Sequence, residues 1–255
     1  MHSDLSLPLS AVYGFLLVLA RVGGTLTFVP LPGASGAPEP ARVLLILCST
    51  VALYPLWPAV TAEPGLGTLT GWLLSEAALG LTMGLVVGFL SEAFLLCGQM
   101  AGFQAGYSFA STIDPNTQSD STVLATIAQT ASGLLFFALG LHREVFRVFA
   151  RSLETLPAGA FTIKMSTAEA IIRMGSTVFS TGFRLALPIV ALLVMVDLTL
   201  ALLGRINAQL QLLTLAFPAK MMTALALLAA MAIIFPRVYR GYAAHLFEAL
   251  PALAR

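Results

Sequence analysis

The sequence predicts an all-α protein of long, membrane-associated helical hairpins. Three observations point there. Of 255 residues, 58% are hydrophobic and only 10% are charged, where a soluble domain carries about 25% charged residues. Apolar segments of the length a bilayer needs, roughly 20 residues, recur from end to end. A proline-free stretch from Trp72 to Gly106 repeats glycine at four-residue spacing, a helical pattern. The formal net charge of +1 supplies no field for nucleic acid, and no basic cluster tracks a phosphate backbone.

The apolar segments cover about 10–30, 41–60, 69–106, 122–141, 168–196, 198–217 and 218–236. The first resembles a signal peptide only superficially. No Lys or Arg precedes it and Arg21 interrupts it, so it reads as a retained helix. Pro55 and Pro58 break the second. The third contains Glu76 and Glu92, with glycines at Gly80, Gly84 and Gly88 and again at Gly98, Gly102 and Gly106. Gly80 and Gly98 are 18 residues apart, five whole turns, so on one helix both sets share a face. Small residues every fourth position let another backbone approach closely. Each glycine costs a helix ~1 kcal/mol against alanine, so the ladder implies packing, within the chain or against neighbouring subunits. Such a helix is about 50 Å long against a hydrocarbon core of roughly 30 Å. It must tilt, break near Glu92, or leave the membrane plane inside an assembly.

A polar strip follows, running from Gly106 to Thr122 through Tyr107, Ser108, Phe109, Ser111, Thr112, Asp114, Pro115, Asn116, Gln118, Asp120 and Ser121. Asp114-Pro115-Asn116 starts a turn. The strip is either a solvated loop or a re-entrant, pore-facing segment, because irregular backbone at membrane depth needs protein or water around it. Beyond it come the segment 122–141, the basic stretch HREVFRVFARSLE at 142–154, and LPAGAFTIKMS, which interrupts the apolar pattern. Arg173 and Arg184 lie within the fifth segment and Arg205 within the sixth. Asp197, Arg205 and Lys220 flank a possible hairpin turn around Gly204–Gln211 and read as interfacial charges at helix ends. Charges at helix centres are costly in lipid and face protein or water, so this chain expects partners. Placing the basic regions in the cytoplasm puts Glu63, the strip and the N-terminus outside.

Nothing forms an active site. His2, His142 and His245 are scattered, without metal-ligand spacing, and no nucleotide, hydrolase or metalloprotease motif is present. No catalytic, metal or cofactor-binding residue is expected. Cys48 and Cys97 lack CxxC spacing and read as small buried hydrophobes. Glu76 and Glu92 lie about 160° apart around a helix, which favours capping or salt-bridge roles over a shared proton relay.

The run AGFQAGYSFASTIDPNTQSDSTVLA resembles the signature of the FliR family of flagellar type III export-gate proteins, which includes the T component of injectisomes. LVLARVGGTLTFVPLPG with PARV resembles the family's N-terminal segment, and GRINAQLQLLTLAFPAKM its Arg–x–x–Pro–Gln–x–Asn element. Here Ala208 stands where Pro is usual and Gln211 where Asn is usual. The resemblance implies an N-terminal part, 1–165, similar to the gate's P subunit, with a plug loop at 106–122. It also implies a C-terminal hairpin part, 166–255, similar to the Q subunit. One copy would complete a helical ring of P and Q subunits in the bacterial inner membrane, within the flagellar basal body. Unfolded flagellar subunits would pass through that ring, beside other export-apparatus membrane proteins. An injectisome role, a proton-coupled or small-solute transporter using a broken helix, and a scaffold without moving parts are the alternatives.

Overall fold

The computed structural model describes residues 9–30, 39–60, 64–107, 123–206 and 212–253. Among them every regular element is helical. In chain order these are α1 (Leu9–Phe28), α2 (Glu39–Ala52), a 3-10 turn (Tyr54–Leu56), α3 (Leu66–Ala105), α4 (Val123–Ala138), α5 (Leu141–Thr155), α6 (Met165–Ile206), α7 (Leu212–Met231) and α8 (Phe235–Leu253). The all-α expectation holds. Three of them, α1, α3 and most of α6, are long and apolar enough to cross a membrane.

The third apolar segment forms one unbroken helix of 40 residues, about 60 Å long, with no break at Glu92. The fifth segment also merges with the start of the sixth. α6 runs 42 residues through Pro188, so Asp197 lies inside a helix rather than at its end. Asp197 offers no helix stop, and helix-forming residues continue past it to Gly204 and Arg205.

Contacts group the described residues into two compact units. The first comprises those of Met1–Gly88, Gly140–Met174 and Ala244–Arg255. Its core sets Leu17, Val18 and Val22 of α1 with Leu79 and Met83 of α3. α5 is amphipathic by spacing: Leu141, Val145, Phe149 and Ser152 are buried, while Arg143, Arg147 and Arg151 are exposed. That is one stripe of a 3.6-residue period. The aromatic rings of Phe15, Tyr54 and Trp57 gather beside α1, and Trp57 Nε1 donates to Thr50 O at 3.0 Å. Cys48, read as buried, lies on the exposed side of α2, whereas Cys97 is buried. Apolar composition cannot distinguish a helix face turned to protein from one turned to lipid, because lipid tails are as apolar as leucine.

The second unit comprises Phe89–Leu139 and Gly175–Ala243. Phe94 packs edge-on against Phe235 at 5.2 Å between ring centroids and tilted against Tyr239 at 5.1 Å. Ser132 Oγ donates to Tyr239 OH at 3.3 Å and shares a 3.1 Å hydrogen bond with Ser91 Oγ. These groups are buried, so the hydroxyls satisfy one another inside an apolar core.

Candidate functional site

The polar strip leaves α3 through a helix cap. Gly106 adopts φ +86°, the left-handed conformation that glycine takes without strain. Tyr107 N donates to Gly102 O at 3.0 Å and Gly106 N to Phe103 O at 3.1 Å. This paired 6→1 and 5→2 pattern is a Schellman motif, which satisfies carbonyls that a helix end leaves open. A Cβ on Gly106 would stand 3.0 Å from the Phe217 ring, so the backbone favours glycine there and any side chain would press on that ring.

Two further contacts hold this end of α3. Tyr107 OH donates to Met221 O at 3.3 Å. Gln104 Nε2 donates to Asp197 Oδ2 at 2.9 Å, and Lys220 Nζ reaches Asp197 Oδ1 at 2.9 Å and Oδ2 at 3.0 Å. One carboxylate thereby joins α3, α6 and α7. The Asp197 side chain keeps 42% exposure and that of Lys220 14%.

In the first unit, Arg21 and Glu76 form an enclosed ion pair, their side chains 1% and 2% exposed. Arg21 Nε donates to Glu76 Oε2. Its Nη1 donates to Ser152 O at 2.8 Å and Ser152 Oγ at 3.2 Å. The other carboxylate oxygen, Oε1, accepts from Gly159 N at 3.1 Å. Gly159 has φ +74°, and a side chain there would run into the Trp72 indole. Ser75 Oγ donates to Phe161 O at 2.7 Å, pinning the same connection to α3. A cavity of about 40 Å³, lined by Leu17, Arg21, Pro58, Glu76 and Pro157 among others, adjoins the pair.

The glycine ladder lies against backbone. A Cβ on Gly80 would meet Arg21 O and one on Gly84 would meet Thr25 O. One on Gly88 would meet Phe28 O at 3.1 Å. α1 answers with Gly24, whose Cβ would come within 2.7 Å of Ala77 O and Leu81 N. Farther along α3, a Cβ on Gly98 would stand 2.6 Å from Leu124 O, and Gly102 is buried.

Of the residues expected in the plug, Gly106 and Tyr107 form the cap. Ser108, Phe109, Ser111, Thr112, Asp114, Pro115, Asn116, Gln118, Asp120 and Ser121 lie outside the described residues, as does most of the turn around Gly204–Gln211. Phe103, three residues before the cap, is 66% exposed on α3. The salt-bridge role expected for Glu76 is what it has; Glu92 is exposed. Sequence reasoning missed which charges would meet. The signal was only that Arg21, Glu76, Asp197 and Lys220 all needed partners. Among the described residues no group of His, Cys, Asp or Glu could hold a metal.

The sequence pattern of the family described as "Bacterial export proteins, family 1" matches residues 12–246. The flagellar biosynthetic protein FliR of Escherichia coli K12 is 29% identical over 214 residues, covering 84% of this chain and 82% of that protein. FliR of Pectobacterium carotovorum is 28% identical over 235 residues, 92% of this chain and 88% of the relative. FliR of Bacillus subtilis is 25% identical over 230 residues, 87% of each.

Proposed function

The chain belongs to the bacterial export proteins of family 1, and on that premise we propose that it is a component of the flagellar protein export gate. The match across residues 12–246 carries this reading, together with relatives of similar length that are named flagellar biosynthetic proteins. In this reading the chain sits in the bacterial inner membrane at the flagellar basal body. Its 1–165 part is P-subunit-like and its 166–255 part Q-subunit-like. With P and Q subunits it closes a ring that unfolded flagellar subunits enter. The role is that of a conduit rather than an enzyme. Helices long and apolar enough to span a membrane, carrying charges that meet in pairs, support a membrane-embedded assembly member.

Within that ring the strip from Gly106 to Thr122 is the plug. A protein conduit must pass an extended chain yet hold back ions at rest. A segment that fills the lumen through many contacts, each ~1 kcal/mol net of water, does both, because it can be displaced piecemeal while the surrounding helices stay packed. The Schellman cap at Gly106 and the contacts of Gln104 and Tyr107 supply a fixed root.

The test deletes Ser111–Ser119 in cells that overproduce the gate with its P and Q subunits. Co-purification by detergent gel filtration should be unchanged, while permeability of resting cells to ions and small solutes rises. Asn116→Ala alone should do much less. Normal assembly with unchanged conductance would make the strip a solvated loop and the chain a scaffold. A stable, monodisperse monomer on expression alone would count against obligate assembly.

A further inference from the structure

We propose that Asp197, Lys220 and Gln104 form a charge clasp that sets the register of α7 against α3 and α6, and so positions the root of the strip. The last clause rests on reading the strip as a plug; the register does not.

Lys220 is the one charged residue in α7. Asp197 is the one charge in α6 between Arg184 and Arg205. Alone, each would be an uncompensated charge in an apolar helix. They meet at 2.9 Å, and both carboxylate oxygens are used, Oδ1 by Lys220 and Oδ2 by Lys220 and Gln104. Apolar side chains alone tolerate sliding, since one leucine replaces another at little loss. A slide of one helical turn, ~5.4 Å, would instead part Lys220 from Asp197, and the other α6 carboxylate, Glu169, lies 28 residues away along that helix. Setting a register is the best-attested use of a paired polar group in an apolar interface. The neighbouring contacts share this register. Phe217, Lys220 and Met221 occupy positions i, i+3 and i+4, one face of α7. They meet Gly106, Asp197 and Tyr107 respectively. Moving α7 would therefore break the seat of the Schellman cap along with the ion pair.

The register is read directly in the assembled gate by pulsed electron paramagnetic resonance. Spin labels go on Phe103→Cys in α3 and Met222→Cys in α7, both well exposed in this chain at 66% and 67%, with Cys48→Ser and Cys97→Ala as background. The parent should give one narrow distance. In Lys220→Met the parent distance should lose its dominance about tenfold, a bias of ~1.4 kcal/mol, to a second population displaced by about one turn, ~5.4 Å. The exchange Asp197→Lys with Lys220→Asp should restore the single distance. An unchanged narrow distance in assembled Lys220→Met overturns the proposal. If Lys220→Met does not assemble, the exchange decides: recovered assembly supports the clasp, and failure to recover overturns it. The plug reading fails separately, through a Ser111–Ser119 deletion that does not leak.

Discussion

Among the described residues, the ion pairs Arg21–Glu76 and Asp197–Lys220 each join separate helices, and they are enclosed differently. Arg21 and Glu76 are almost wholly buried and have backbone company: Ser152 O accepts a hydrogen bond from the guanidinium, and Gly159 N–H donates one to the carboxylate. Asp197 and Lys220 have the Gln104 amide beside them, and Asp197 keeps 42% side-chain exposure. A buried pair is costly to desolvate, and losing one member strands the other. A half-exposed pair loses less of either term. The first pair therefore suits a fixed joint among α1, α3, α5 and the connection at Gly159. The second suits a contact whose value is its position rather than its strength.

Arg21→Met tests the contrast where it should be largest. Leaving Glu76 unpaired should cost about 3–5 kcal/mol, read as a lower thermal unfolding midpoint and lower yield of the detergent-purified gate. The double change Arg21→Met with Glu76→Leu should recover most of it, since an apolar replacement of both partners is often neutral. A single-variant loss below about 1 kcal/mol, typical of an exposed pair, would erase the distinction between the two sites. Next comes Gly84→Ala, which forces a Cβ onto Thr25 O and should cost about 1–3 kcal/mol by the same melting assay. Lys220→Met should cost less than Arg21→Met, about 1–2 kcal/mol, between the exposed and enclosed cases. Equal losses at the two pairs would show that exposure is not what separates them. The smallest effect has the opposite sign. Gly71 is exposed with nothing within 4 Å of a Cβ, so Gly71→Ala should stabilise α3 by about 0.5–1 kcal/mol. A loss there would mean that α3 is packed where it stands open.

How far the fold was legible follows from what each signal encodes. Period and composition are local, so the helical class and the span of α3 could be read from a proline-free stretch with glycines four apart. The strip stood out by composition for the same reason. Pairing is not local. Arg21 and Glu76 are separated by 55 positions and Asp197 and Lys220 by 23; sequence marks each charge as needing company without saying whose. Continuity through Asp197 was missed because a lone carboxylate looks like a helix end until a lysine from the next helix is seen to meet it. The exposure of Cys48 is not legible because hydrophobicity in a membrane chain does not separate core from periphery. The Schellman cap is half legible: glycine at 106 belongs to the ladder, yet its role in ending the helix depends on the φ it adopts.

The enclosure of Arg21 also has a consequence in time. At ~5–20 residues added per second, the ribosome makes Arg21 roughly 3–11 s before Glu76, and Ser152 is made later still. Throughout that interval α1 carries a guanidinium without its native counter-charge, which makes settling among lipid tails costly. α1, made before α3, is therefore expected at the insertion machinery or the headgroup layer until α3 is complete. Burial of α1 in the nascent chain then becomes a delayed event, timed by the arrival of a single carboxylate.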